Sequence, residues 1–245
     1  MRVLAIYDWP EDFDISKHPR TLVAWTEDAG ANPNKAAFFT SQRGVPRNRT
    51  LFKRSRLIEI LSEFEIYKGV ALDDIRNTHY LDPNSHISFI RHDANKRYVV
   101  ARRESEFSLN DEIRHLRLVC QAITPRYGFS NGGPNSIPIF ATSGIVTTSM
   151  QHDDWTRTSD LGRMLRDTRQ HLSGKLHDVY ELNVLSPLHL EQPLQGRSLQ
   201  AWIETGSRGS LLRILDQVFV WTVPVGIRAS IRSFLFREGL LTATV

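Results

Sequence analysis

A single cysteine, Cys120, stands in 245 residues. One thiol excludes an intrachain disulfide and any zinc site built on several cysteines. Its surroundings, RHLRLVCQAI, set it at helical spacing from Leu116 and Ile123, so it reads as a small core side chain with an inert thiol. Long apolar runs are also lacking. LRILDQVFVWTVPVGI is broken by Asp216, Gln217 and Pro224, short of the roughly 18–20 residues a membrane span needs. The opening MRVLAIYDWPEDFD turns acidic after a few apolar residues, unlike a secretory signal. The expected location is the cytoplasm, with no membrane partner.

Lysine is missing between Lys96 and Lys175, a span that contains the glycine-rich stretch TPRYGFSNGGPNS at 124–136. A phosphate loop needs GxxxxGK[ST], and a dinucleotide fingerprint needs GxGxxG between a strand and a helix. This stretch follows a helix instead, and is expected to be a helix-stopping turn in which Gly128 or Asn131 takes positive φ. No HExxH occurs among the nine histidines. In HDDW (His152, Asp153, Asp154) and RHD (His92, Asp93) the neighbours would point to opposite faces of a strand. No metal site and no cofactor are expected. A hairpin nuclease core would use Asp93 and Glu104, but Glu106 stands where a basic partner is needed. GxSxG is absent, and TSGIV lacks its glycine pair.

What the chain has is an ordinary globular balance, with 40% apolar and 24% charged residues, enough for a sizeable core. VLAIY (3–7), TLVAW (21–25) and KAAFFTSQ read as strands, and Leu57, Ile58, Leu61 and Phe64 as a helix ended by Gly69. HISFIRH and RYVVARRE, joined by DANK, form a hairpin. A helix over 109–123 can be capped by Ser108 or Asn110 and is stopped by Pro125. IPIFATSGIVTT reads as a strand, and a helix starts near Ser159. DVYELNVLS and QVFVWTVP are strands, SLQAWIETG a short helix, and IRASIRSFLFREGLL a closing helix ended by Gly239. The order predicts an α+β fold, an antiparallel or mixed β-sheet with helices packed mainly on one face. Residues 1–50 form an N-terminal β-rich portion and 51–245 the main α+β domain, either separate or continuous. The connection is expected over 41–50.

Two surface features suggest partners. Tyr127 and Phe129 in the glycine-rich stretch, and Asp153, Asp154 and Trp155 before a helix, are candidate protein-binding residues, because rigid rings bury area at little entropic cost. The same rings could instead fold back into the core. Arg43, Arg47, Arg49, Lys53, Arg54 and Arg56 form a basic patch, with no acid between Asp28 and Glu59. It could meet phosphates or an acidic protein surface, although only Phe52 is there to stack a base.

The helix ending in ITPRYGFS, then DVYELNVLSPLHL, GRSLQAWIETGSRGSL, FVWTVP and a closing helix, resembles immunity proteins of bacterial polymorphic-toxin and type VI secretion systems. In particular it resembles the immunity family numbered 52 and its relatives, over roughly residues 86 to 245. Tyr127 and Gly128 match an aromatic-Gly loop, and Asn183 to Leu190 an Asn-containing turn after a strand. The resemblance implies a non-catalytic protein that binds a cognate toxin and blocks it. Two alternatives remain from the residues alone: a metal-dependent nuclease using Asp93, Glu104, Asp153 and Asp154, or a nucleic-acid-binding protein using the basic patch.

Overall fold

The fold is described from a computed structural model over residues 2–9, 13, 17–39, 46–51, 53–62, 69–74, 85–92, 95–102, 108–132 and 169–242. It begins with a strand that has no polar side. In β1 (Arg2–Tyr7), Leu4 and Ile6 enter one core while Val3, Ala5 and Tyr7 enter a second. A strand buried on both faces belongs inside a sheet. β1 accordingly pairs with β6 (Asn95–Arg102) on one side and β7 (Tyr127–Gly132) on the other.

Outward from β6 come β5 (Ser85–His92), β4 (Gly69–Asp74), β2 (Lys35–Phe39) and β3 (Pro46–Leu51). Outward from β7 come β8 (Leu182–Leu185), β12 (Val218–Thr222) and β11 (Ser210–Leu215). The result is one ten-stranded sheet in which neighbours run antiparallel. The fold is thus α+β. The hairpin 85–102 stands as read from the sequence, and β3 falls within the stretch expected to be a connection.

One face of the sheet carries α1 (Pro19–Asp28), α2 (Leu57–Ser62) and α3 (Leu109–Cys120), whose Leu22, Trp25, Leu57, Ile60, Leu116 and Val119 are buried there. Ser108 caps α3 reciprocally with Asp111, fixing where the helix starts. The opposite face, over the β1–β12 half, carries the short α4 (Pro187–Leu190), α5 (Leu199–Glu204) and α6 (Val225–Arg237). A two-stranded ribbon, β9 (Pro193–Leu194) with β10 (Arg197–Ser198), lies between α4 and α5 in the chain. Asn183 of β8 pins the approach to its own strand and ties it to β12. Its Oδ1 accepts from Tyr180 N at 3.0 Å, and its Nδ2 donates to the Tyr180 and Trp221 carbonyls at 2.9 and 3.2 Å. A buried amide satisfied this fully is a fixed point.

Two sequence expectations are corrected. TLVAW is not a strand but the middle of α1. Pro19 occupies the first turn, and Leu22, Trp25 and Ala29 are buried at helical spacing. Burial of one stripe there outweighs the β-preference of Thr, Val and Trp. The described part of the glycine-rich stretch is not a turn either, since Tyr127–Gly132 is β7. Gly128 is needed for close approach and has no positive φ: a Cβ would stand 2.7 Å from the Ala5 carbonyl oxygen and 2.8 Å from Ile6 Cγ2.

Candidate functional site

Three polar constellations lie at or below the sheet surface. On the α1–α3 face, Glu112 is 1% exposed and accepts from Arg2 at 2.8 Å and from the Ser130 hydroxyl at 2.7 Å. Arg2 also reaches Glu181 at 2.9 Å. This ties α3, β1, β7 and the approach to β8 together. Nearby, His115 is fully buried between Tyr98 OH (3.0 Å) and Asp28 (2.8 Å), and Asp28 also receives Arg114 at 3.2 Å. The His115 hydrogen bond, then Arg114, holds the Asp28 carboxyl below the usual range. An acid–imidazole–phenol row looks like a proton relay. Its phenol and imidazole are buried under Trp25, whose ring meets Tyr98 edge-on at 5.1 Å, and its outer end, the Asp28 carboxylate, is taken up by Arg114. Both constellations brace helices onto the sheet.

The third borders open space. A cavity of about 330 Å³ lies among Thr124–Arg126, the 3-10 turn Gln170–Ser173, the start of α4 and Gln217 in the β11–β12 turn. His171 and Ser186 form part of its wall. His171 Nε2 donates to Asp8, and Arg169 reaches the other Asp8 oxygen at 3.2 Å. Asp8 and Arg169 both have left-handed backbones, with φ of 47° and 46°. Such conformations persist only where surrounding contacts hold them, and here the two strained residues hold each other. His171 Nδ1 is buried with no hydrogen-bond partner among the described residues.

Ser186 caps α4, and its hydroxyl contacts His189 Nδ1 at 2.9 Å while its amide donates to the same nitrogen at 3.3 Å. A Ser–His contact on a cavity wall suggests a nucleophile, but the chemistry fails at two points. No acid reaches His189 Nε2 among the described residues. Burial, followed by the charge of His171, also pushes the His189 imidazole down to about 3. A base that weak cannot draw a proton from serine at neutral pH. The pair is a helix cap.

Tyr127 and Phe129 are 1% and 0% exposed, so they are core residues of β7 and present no ring to a partner. Tyr127 stacks on His189 at 5.5 Å, and Phe129 on Tyr180 at 4.2 Å. Desolvation holds the Tyr127 hydroxyl well above its ordinary value. Asp153, Asp154 and Trp155 lie outside the described residues, as do Arg43, Asp93 and Glu104, and so do IPIFATSGIVTT and the helix expected from Ser159. Of the basic patch, Arg47 and Arg49 fall on the edge strand β3, Lys53 is exposed, and Arg54 and Arg56 form a 3-10 turn. Arg56 is bound to Glu59 at 2.5 Å. Asp8, His171 and His189 went unnoticed in the sequence, where 163 residues separate Asp8 from His171 and no motif joins them.

The architecture defines a class: an antiparallel α+β sheet with a layer of short helices closing the back of its C-terminal half. No family model matches the chain, and no curated protein matches it. Among solved structures it is similar to Pseudomonas aeruginosa T6SS protein PA0821, with a TM-score of 0.59 at 11% identity, over 98% of this chain and 73% of that one. The likeness is one of fold. No helix among the described residues is long and apolar enough to cross a membrane.

Proposed function

We propose that this chain is an immunity-type protein linked to type VI secretion, which binds a cognate toxin protein in the cytoplasm and neutralises it without chemistry of its own. The observation that carries this reading is the fold shared with a T6SS protein along almost the whole chain. The polar sites support it. The phenol and imidazole of the Tyr98–His115–Asp28 row are buried, and the Ser186–His189 pair lacks both an acid, among the described residues, and a usable base. The finer resemblance, to the immunity family numbered 52, belongs to the same proposal.

The sheet also offers a surface for binding. β3 carries Pro46, Arg47 and Arg49, residues that discourage strand pairing, whereas the opposite edge strand β11 reads SLLRIL with Leu212 and Leu215 more than a third exposed. The test is expression of the protein encoded beside this one in a sensitive host. It should arrest growth alone, be harmless when this chain is co-expressed, and co-elute with it as a stoichiometric complex. A neighbour without toxicity, or magnesium-dependent cleavage of nucleic acid by this chain alone, would reject the reading.

A further inference from the structure

The sheet ends differently on its two sides. β11 is the last strand on one side and pairs only with β12 among the described residues. An edge strand turns a row of backbone N–H and C=O groups outward, and proteins blunt such edges with proline, charge or a covering element. β3, the opposite edge, is blunted by Pro46, Arg47 and Arg49. β11 has no proline, and its one charge, Arg213, is spent on Asp216, three residues on. Both partners of that pair are more than half exposed, so it holds Arg213 only weakly.

The pairing with β12 sorts the side chains of β11. Leu211 and Arg213 stand opposite Trp221 and Phe219, on the α4–α6 face. Leu212 stands opposite Val220, on the α1–α3 face. Strict alternation would send Leu215 to the face of Arg213. The register slips between Arg213 and Leu215, however, and Leu215 falls opposite Val218, which shares a core with Val220. The bulge thus sets both exposed leucines on one face, where α3 packs against β11. The start of the strand is locked to its neighbour. Ser210 Oγ lies 2.8 Å from Thr222 Oγ1, and a Cβ at Gly209 would stand 1.9 Å from the Thr222 carbonyl oxygen.

We propose that an extended segment of the protein partner adds a further strand to the sheet along β11. It carries apolar side chains against Leu212 and Leu215, and an acidic residue across from Arg213 on the other face. The inference rests on the protein-binding reading above and names where and how the partner is held. Main-chain hydrogen bonds supply the affinity, and the side chains on each face select the partner. A second copy of this chain suits the edge less well. A two-fold axis perpendicular to the sheet opposes residues of the same face. Either Leu212 then meets its own copy, with Arg213 against Leu211, or Arg213 meets its own copy. Neither register brings an acid to Arg213.

The probe is the peptide acetyl-Thr-Thr-Val-Glu-Val-Thr-Thr-amide. Its controls carry Lys in place of Glu, or N-methyl groups on the Val-Glu-Val amides. Titration of the ¹⁵N-labelled full chain is followed at the amides of Ser210–Leu215. The Glu peptide should saturate and slow hydrogen exchange there. The Lys peptide should bind roughly three- to tenfold more weakly, because an opposite charge across the strands becomes a like one. The methylated peptide should not bind. Arg213→Glu, at an exposed position, should reverse the order of the Glu and Lys peptides. If that variant does not fold, the three peptides on the unaltered chain decide. Equal binding of the Glu and methylated peptides, or shifts that leave β11 untouched, overturns the proposal. So does a free chain that sediments as a dimer with its β11 amides already protected, which would give the edge to a second copy. A chain that binds the Glu peptide but neutralises no toxin would retire the immunity reading and leave the edge site standing. One that neutralises its toxin, ignores the peptide and is indifferent to Leu212→Lys would retire the edge site.

Discussion

Acid should destabilise this fold in a window set by one imidazole. His189 is fully buried, with Nδ1 spent on Ser186 and its ring on Tyr127. Its pKa falls from 6.5 to about 3 on folding, by burial first and by His171 second. A depressed histidine binds fewer protons folded than unfolded, so stability is complete above pH 6.5 and is lost as pH falls toward 3. At about 1.4 kcal/mol per unit, the loss is roughly 2 kcal/mol at pH 5 and approaches 5 kcal/mol at pH 3. Domains of this kind hold only about 5–15 kcal/mol in total. His189→Asn keeps an acceptor facing the Ser186 amide and removes the titration. Urea melts of both proteins at pH 7 and pH 5 isolate the effect, because the Asp28 carboxyl, held below 3.8, titrates beneath that window. The unaltered chain should lose about 2 kcal/mol more than the variant between the two pH values. Parallel pH dependences would refute the argument.

Glu112→Ala strands Arg2 and the Ser130 hydroxyl, and should cost about 3 kcal/mol, the lower end for breaking a buried pair, because Arg2 keeps Glu181. Glu112→Gln, which retains an oxygen for Ser130, should cost less in the same denaturation series. Gly128→Ala forces a methyl against the Ala5 carbonyl in the middle of the sheet, and should lower stability by about 1–3 kcal/mol, read as a fall in melting temperature. An unchanged melting temperature would mean that β1 and β7 can separate without penalty.

Where periodicity and caps agreed, the sequence was readable. The 85–102 hairpin, α3 with its Ser108 cap, α5 and α6 all carry local signals, and they formed. Thr21 to Trp25 misled because β-formers there lie on a helix whose buried stripe is visible only once Leu22, Trp25 and Ala29 are read together. The glycines of 124–136 suggested a turn because a sequence does not show that Ile6 will lie against Gly128. Glu112 stands in the first turn of α3, where an acid needs no further partner. It faces inward because Arg2 arrives from 110 residues away. The same distance problem hid Asp8 with His171.

The central position of β1 sets a timetable for synthesis. Leu4 will finally lie between Val100 and Ser130, and Arg2 waits for Glu181, 179 residues further along the chain. At about 5–20 residues per second, that last partner leaves the ribosome roughly 9 to 36 s after Arg2. The first sheet neighbour of β1, β6, is complete at Arg102, so for roughly 5 to 20 s a strand with two apolar faces has no native neighbour to pair with. The sheet can close around β1 only after β6 and β7 have followed it out, which makes its central pairings the long-range, slow ones.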